Sequence, residues 1–180
     1  MMKDDIKEVL FSKEDLDKIV KRLGREITQT YQDDELYLVT LLKGAVVFFT
    51  DIIREIDLPV EMDFMAVSSY KNGTCSSGEV KIVKDLSEPI AGKNVLIIED
   101  ILDSGKTLSY IMNVLEQRGP KSIRICTLFD KPERRTVDVQ ADYVGTQVPD
   151  EFIVGYGLDY AEKYRNLPYV GVLKPEIYSK

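Results

Sequence analysis

The chain has 180 residues, which suits one globular domain with a substantial hydrophobic core. Hydrophobic residues make up 44% and charged residues 31%, and the net charge of -7 argues against broad, sequence-independent binding to nucleic acid. The chain contains no histidine, which excludes Ser-His-Asp and Cys-His mechanisms. Acid–base chemistry is therefore left to carboxylates, lysine, tyrosine or cysteine.

Three features of the sequence predict a cytoplasmic location. No apolar run approaches the ~20 residues of a membrane span, and the N-terminus lacks the apolar region of a signal peptide. The two cysteines, Cys75 and Cys126, match no metal-binding spacing. We interpret them as free thiols in a reducing compartment.

The first half of the chain alternates helical and strand patterns. Ser12 and Asp15 resemble the start of a helix, and apolar residues then keep helical spacing as far as Ile27. The elements predicted next, in chain order, are a strand over 36–42, a helix over 45–56, a strand over 60–67, a loop over 68–78 and a strand over 80–86.

The second half contains the strongest predicted strand, residues 94–99, whose continuous apolar run suits burial on both faces. A helix over 108–115 and a strand over 123–129 follow. Strands that alternate with helices predict an α/β fold with a parallel sheet covered on both faces. From about Tyr143 onward the pattern changes to short apolar runs, and we expect this tail to form a small cap with the N-terminal helix.

Residues 95–108 predict a phosphate site, because a buried strand ends in acids, turns tightly and continues into a helix. Ligands of open α/β sheets bind at the carboxyl ends of the strands. The backbone N–H groups of residues 104–107 would face a ligand above the helix N-terminus, where phosphate is favoured. Gly105 lets the backbone approach closely. The segment is not a P-loop, because Asp100 stands where that motif requires its first glycine.

Residues 95–108 resemble the phosphoribosyl pyrophosphate-binding signature of type I phosphoribosyltransferases. Four further segments extend the resemblance to the hypoxanthine-guanine branch of that family, namely residues 41–44, 68–70, 129–132 and 149–165. The resemblance implies a mostly parallel, twisted sheet flanked by helices, in a single domain over residues 1–180. It further implies a core over about 35–145, a hood from about 1–30 and 146–180, and a homodimer or homotetramer.

The resemblance also implies an activity, purine salvage. The phosphoribosyl group of phosphoribosyl pyrophosphate would pass to hypoxanthine or guanine, giving IMP or GMP and pyrophosphate, with magnesium as cofactor. Asp103 resembles the general base that takes the proton from purine N7. Judged by residue type alone, Asp103 is also a good helix N-cap, so both interpretations stay open here.

The resemblance assigns binding roles to further residues. The 5′-phosphate would be bound by Asp103, Ser104, Gly105, Lys106 and Thr107, and the pyrophosphate by Lys43, Gly44, Ser69, Tyr70 and Arg165. The purine would be bound by Lys131, Phe152, Ile153 and Asp159, and magnesium by Glu99, Asp100 and Asp159. In the family the backbone at Lys43 and Gly44 commonly contacts pyrophosphate through a cis peptide. Residues 69–78 are expected to form a mobile lid.

Each of these residues also has an ordinary structural interpretation. Lys43, Lys131 and Arg165 could be surface charges, Asp159 a turn residue, and Phe152 and Ile153 core residues. Two other functions are also open. One is a regulator of the same fold that senses phosphoribosyl pyrophosphate without catalysis, and the other is an enzyme of the superfamily that acts on adenine, xanthine or a pyrimidine.

Overall fold

The computed structural model describes residues 2–69 and 80–179. Tyr70 and residues 71–78 of the expected lid lie outside the described residues. The elements are, in chain order, β1 (Ile6–Phe11), α1 (Lys13–Tyr31), β2 (Leu36–Leu42), α2 (Val46–Glu55), β3 (Val60–Ser69), β4 (Val80–Lys84), β5 (Asn94–Leu102), α3 (Lys106–Glu116), β6 (Ser122–Asp130), β7 (Tyr143–Gln147), β8 (Ile153–Val154), β9 (Val170–Leu173) and α4 (Pro175–Tyr178).

The main sheet has six strands in the order β4-β3-β2-β5-β6-β7. All neighbouring strands run parallel except β3 and β4, which pair antiparallel. The predicted α/β class with a mostly parallel sheet is confirmed. The central strand β5 continues through Glu99 and Asp100 to Leu102, three residues beyond its predicted end, so both acids belong to the strand.

Helices cover both faces of the main sheet. Leu96 and Ile98 of β5 pack in the same apolar cluster as α1 and α2, whereas Val95 and Ile97 pack in a second cluster with α3. This alternation follows from the period of two along a strand and explains why β5 carries an uninterrupted apolar run. No helix of the described residues is long and apolar enough to cross a membrane.

The first helix begins as the sequence predicts. Ser12 Oγ accepts a hydrogen bond from the Asp15 N–H (3.2 Å), and Asp15 Oδ2 accepts one from the Ser12 N–H (3.1 Å), so a capping box forms with aspartate in the place of glutamate. At Gly24, a Cβ atom would lie 2.6 Å from the Glu55 backbone. Glycine therefore allows α1 to pack closely on α2.

The tail forms a second, antiparallel sheet with the N-terminal strand, in the order β1-β9-β8. β7, the first part of the predicted tail, belongs to the main sheet instead. α1 packs on α2 and β7, and its buried residues share one apolar cluster with Ile153, Val170 and Val172 of the tail. β1 was missed because its burial shows no clear alternation along the strand. The division into core and hood stays a prediction.

Asp63 of β3 links β2 and β4 at one edge of the main sheet. Its carboxylate, 6% exposed, accepts hydrogen bonds from the Ser87 N–H, the Phe64 N–H and the Tyr37 hydroxyl, and pairs with Lys84 (3.2 Å). Burial by itself raises the pKa of Asp63, but these hydrogen bonds outweigh burial and lower the pKa to about 2. The ionised carboxylate therefore stabilises the fold.

We expect Asp63→Asn to destabilise the protein and to reduce its sensitivity to acid. The pKa is about 2 in the folded protein against an ordinary value of 3.8, so the ionised form contributes stability above about pH 4 that is lost as the pH falls towards 2. The contribution is about 2 kcal/mol at neutral pH. Urea unfolding across this pH range measures it, with the exposed Glu88→Gln as control. Wild-type stability of Asp63→Asn at neutral pH would contradict the prediction.

Candidate active site

A cavity of about 830 Å³ opens at the carboxyl ends of β2 and β5, where ligands of open α/β sheets bind. Twelve of the predicted site residues line it, namely Gly44, Glu99, Asp100, Asp103, Ser104, Gly105, Thr107, Lys131, Phe152, Ile153, Asp159 and Arg165. Two others do not line it. Lys43 Nζ forms an ion pair with Glu162 Oε2 (2.8 Å), and Lys106 lies exposed at the first position of α3.

The loop from β5 to α3 places Asp103 beside the cavity, and the Asp103 side chain does not cap the helix. Gly105, whose φ of 80° is left-handed, occupies the N-cap position of α3, and the Ser104 hydroxyl oxygen, not the Asp103 carboxylate, accepts a hydrogen bond from the Lys106 N–H (3.5 Å). The interpretation of Asp103 as a helix cap is therefore wrong. Its Oδ1 atom is shielded from solvent, makes no hydrogen bond among the described residues, and lies 3.5 Å from Arg134 Nε.

Glu99 and Asp100 bring two neighbouring carboxylates to the cavity. Burial, together with the negative charge of Asp100, raises the pKa of Glu99 well above its ordinary value, and burial likewise raises the pKa of Asp100. A divalent cation bound here would favour the ionised form of both carboxyl groups and so lower both pKa values. Carboxylate oxygens are ligands that Mg²⁺ prefers, so Glu99 and Asp100 could hold this ion together with substrate oxygens. No group of three or more possible metal ligands occurs among residues 2–69 and 80–179.

The loop after β2 contacts the tail at Gly44 and Gly157. A Cβ at Gly44 would lie 2.1 Å from Asp100 Oδ2, and a Cβ at Gly157 would lie 2.1 Å from the Gly44 carbonyl oxygen. Gly157 also has a φ of 100°, which other residues rarely adopt. The peptide bond between Leu42 and Lys43, directly before this contact, is cis. Glycine at position 157 therefore allows the two backbones to meet, and glycine at position 44 leaves room for the Asp100 carboxylate.

Arg165 organises the tail side of the cavity. Its Nη1 donates to the Gly157 carbonyl oxygen (2.8 Å), and its Nη2 pairs with Asp159 Oδ1 (2.8 Å) and Glu162 Oε1 (3.3 Å). Asp159 Oδ2 in turn accepts a hydrogen bond from the Glu162 N–H (2.9 Å). Arg165 and Asp159 therefore bind each other, which the sequence pattern did not predict.

Lys131 is buried, with 6% exposure, so the interpretation as a surface lysine is wrong. Its Nζ donates to the Glu151 carbonyl oxygen (2.6 Å), and burial lowers the pKa of its ammonium group. One hydrogen bond leaves two ammonium donors for a further acceptor. Lys131 can therefore donate to a ligand carbonyl in this cavity.

Phe152 is an exposed aromatic residue on the wall of the same cavity. Its side chain is 38% exposed, although Ile153 beside it is buried in β8. One neighbour, Tyr178 of α4, stacks on it at 4.9 Å between ring centroids, and Tyr160 contacts it edge-on at 5.5 Å. An exposed aromatic ring held by two neighbouring rings can stack on a flat heterocyclic ligand. Sequence reasoning missed Tyr178, for which the tyrosine-rich tail was the only signal.

The residues after Lys131 were also missed. Arg134 pairs with Asp103 and with Asp150 (3.2 Å), and all three residues line the cavity. Arg135 bonds to the loop that carries Asp103. In the sequence these residues form a charged turn, which does not distinguish Arg134, with a side chain 53% exposed, from Arg135, with a side chain 17% exposed.

Comparisons with known proteins place the chain in one family. A family model for the phosphoribosyl transferase domain matches residues 10–161. The chain is 58% identical over 178 residues to the hypoxanthine-guanine phosphoribosyltransferase of Bacillus subtilis, with 99% of both covered. It is 56% identical over 179 residues to the bifunctional protein TilS/HprT of Listeria monocytogenes, and there it spans 99% of its own length but 28% of that protein.

A solved structure gives the same result. The crystal structure of a hypoxanthine phosphoribosyltransferase from Staphylococcus aureus superposes with a TM-score of 0.95 at 54% identity and covers 99% of this chain. Fold and site together define an α/β protein in which the loop from β5 to the N-terminus of α3 lines a cavity at the carboxyl edge of the main sheet. The chain belongs to the phosphoribosyltransferase family.

We expect Gly157→Ala to destabilise the protein more than Gly92→Ala. Both glycines have positive φ, at 100° and 75°, so each alanine costs about 1–2 kcal/mol of backbone strain. A Cβ at Gly92 meets nothing within 4 Å, whereas one at Gly157 meets the Gly44 carbonyl oxygen, which adds about 1–3 kcal/mol. Urea unfolding of both variants measures the difference, and equal losses would contradict the contact between Gly44 and Gly157.

Proposed function

We propose that the chain transfers the phosphoribosyl group of phosphoribosyl pyrophosphate to hypoxanthine or guanine, forming IMP or GMP and pyrophosphate. One observation carries the proposal. The loop from Asp103 to Thr107, which suits a phosphate, and the pair Lys131 and Phe152, which suits an oxopurine, share one cavity. Relatives that are 58% and 57% identical over nearly the whole chain carry the name of this activity.

The base subsite lies between Phe152 and Lys131. Phe152 offers an exposed ring face on which a purine stacks, and the Lys131 ammonium donates to its 6-oxo oxygen. Ile153 contributes backbone contacts beside the ring. Discrimination against adenine follows, because an amino group at position 6 presents donors to the lysine instead of an acceptor.

The reaction is a displacement at the anomeric carbon of the ribose, with inversion and an oxocarbenium-like state. The bond from the purine nitrogen N9 to the anomeric carbon forms, and the bond to the pyrophosphate oxygen breaks. The proton on purine N7 passes to the carboxylate of Asp103. This carboxylate is free to accept it because it does not cap α3. The N–H groups of Ser104 to Thr107, with the Thr107 hydroxyl, hold the 5′-phosphate at the start of α3.

The pyrophosphate leaves toward the other side of the cavity. The backbone at Lys43 and Gly44 would hold it, with Ser69 and Tyr70, and Arg165 would exchange its acidic partners Asp159 and Glu162 for phosphate oxygens. When bound, magnesium supplies positive charge to the departing pyrophosphate. Glu99 and Asp100 would hold it, with Asp159 near a second ion.

We also propose that the protein is located in the cytoplasm and forms a homodimer or homotetramer. Cys126 is a free thiol buried in the core, which suits a reducing compartment. Sedimentation of the purified protein measures the oligomeric state. Turnover by the wild-type protein, assayed with each purine, distinguishes the transferase from a regulator that senses phosphoribosyl pyrophosphate without catalysis.

We expect Asp103→Asn to lower turnover by ~10²–10⁴ while phosphoribosyl pyrophosphate still binds, because the amide cannot take the N7 proton. Steady-state kinetics and calorimetric binding of phosphoribosyl pyrophosphate measure the two properties. The control is Asp33→Asn, an exposed aspartate in the turn after α1, which should keep wild-type turnover. Wild-type turnover of Asp103→Asn would exclude a general-base role.

Replacement of Lys131 by methionine tests the base subsite. The change keeps a long side chain but leaves the 6-oxo oxygen without its donor, which costs roughly 1–3 kcal/mol. The Michaelis constants for hypoxanthine and guanine should therefore rise by more than that for phosphoribosyl pyrophosphate. Equal increases for both substrates would count against the assignment, and the exposed Lys18→Met serves as control.

A further inference from the structure

Arg135 lies behind the loop that joins β5 to α3 and bonds to its backbone. Its Nε donates to the Asp103 carbonyl oxygen (3.0 Å), and its Nη2 donates to the Leu102 carbonyl oxygen (3.3 Å). The guanidinium is fixed in turn by the Asp130 carboxylate and the Val139 carbonyl oxygen. Arg135 is thus anchored at both ends of its planar group and holds two successive carbonyls of the loop.

The backbone around Arg135 holds the same edge of the loop. The Ser104 carbonyl oxygen accepts hydrogen bonds from the Thr136 N–H (3.0 Å) and the Thr136 hydroxyl (3.2 Å). The Leu102 carbonyl oxygen also accepts one from the Lys131 N–H (3.0 Å). Five hydrogen bonds therefore draw three consecutive carbonyls, those of residues 102–104, toward the segment 131–136.

The geometry of trans peptides also fixes the direction of the N–H groups on the opposite edge of the loop. The peptide bonds of residues 102–105 are trans, and in a trans peptide the C=O of one residue and the N–H of the next point in opposite directions. Because the carbonyls of residues 102–104 face the segment 131–136, the N–H groups of Asp103, Ser104 and Gly105 face away from it. Those three residues line the cavity, so their donors converge there.

Packing keeps the guanidinium in place behind the loop. A Cβ at Gly105 would lie 3.0 Å from Arg135 Cδ and 3.0 Å from Val137 Cγ2, so the glycine backbone rests directly on these side chains. Lysine cannot replace this arrangement, because its single nitrogen cannot reach two carbonyls and a carboxylate in one plane, as the fork of arginine does.

We propose that Arg135 is a positioning residue that aims the N–H groups of residues 103–105 at the 5′-phosphate, without touching the substrate itself. The inference rests on the proposed function, since it assigns the phosphate of that substrate to this loop. The segment 131–136 begins with Lys131, so the group proposed to recognise the base and the groups that orient the loop belong to one short stretch of chain.

The test compares ligands that differ only in the phosphate. Calorimetry measures the dissociation constants of guanosine and of GMP, and their ratio reports what the 5′-phosphate contributes. We expect Arg135→Lys to lower this ratio by at least about tenfold while the dissociation constant of guanosine stays within about twofold. Thr136→Val, which removes one bond to the Ser104 carbonyl and keeps its N–H, should lower the ratio by about threefold.

Arg118→Lys is the matched control, because Arg118 forms a two-point ion pair with Asp85 at the far end of α3 and lies outside the cavity. It should leave the ratio unchanged. Circular dichroism and thermal unfolding check each variant, and if Arg135→Lys does not fold, Thr136→Val decides the outcome.

An unchanged ratio in the folded variants would overturn the inference. An equal weakening of guanosine and GMP would also overturn it, because that result means a general structural role. Failure of the proposed function looks different: the wild-type protein itself would then bind GMP no more tightly than guanosine and would form no nucleotide from guanine and phosphoribosyl pyrophosphate.

Discussion

The cavity depends on the direction of the carbonyl groups where the chain leaves β5. Three carbonyls in a row, from Leu102 to Ser104, bond to the segment that follows β6. The N–H groups of the following residues therefore face the cavity, ahead of the first turn of α3. The acid Asp103 occupies the same loop, so one arrangement of the backbone orients both the N–H groups proposed to bind the 5′-phosphate and the carboxylate proposed as general base.

A second close contact unites the two halves of the site. Gly44, after β2, and Gly157, in the tail, meet backbone to backbone, and Arg165 bonds to the Gly157 carbonyl oxygen. Asp100 at the end of β5 lies against Gly44. The groups proposed to hold pyrophosphate and magnesium thus contact one another directly, although they come from three distant parts of the chain.

The charges of the site are arranged in pairs that a ligand can replace. Arg165 is bound by Asp159 and Glu162, and Arg134 lies between Asp103 and Asp150. Phosphate oxygens compete with carboxylates for arginine, since both accept two parallel hydrogen bonds. The net charge of -7 is therefore compatible with the proposed substrate, which carries a 5′-phosphate and a pyrophosphate, because binding depends on these local donors.

The sequence by itself determined the strands of the main sheet except β7, the helices that cover it, the carboxyl-edge position of the loop after β5, and the residue types available for acid–base chemistry, because these follow from periodicity and local motifs. Only the tertiary structure decided that Lys131 is buried, that Asp103 caps no helix, that β1 pairs with β9, and that Tyr178 stacks on Phe152. Each of these depends on a contact between residues distant in the chain. No local pattern records such contacts, because a buried lysine and a solvated one have the same neighbours in sequence.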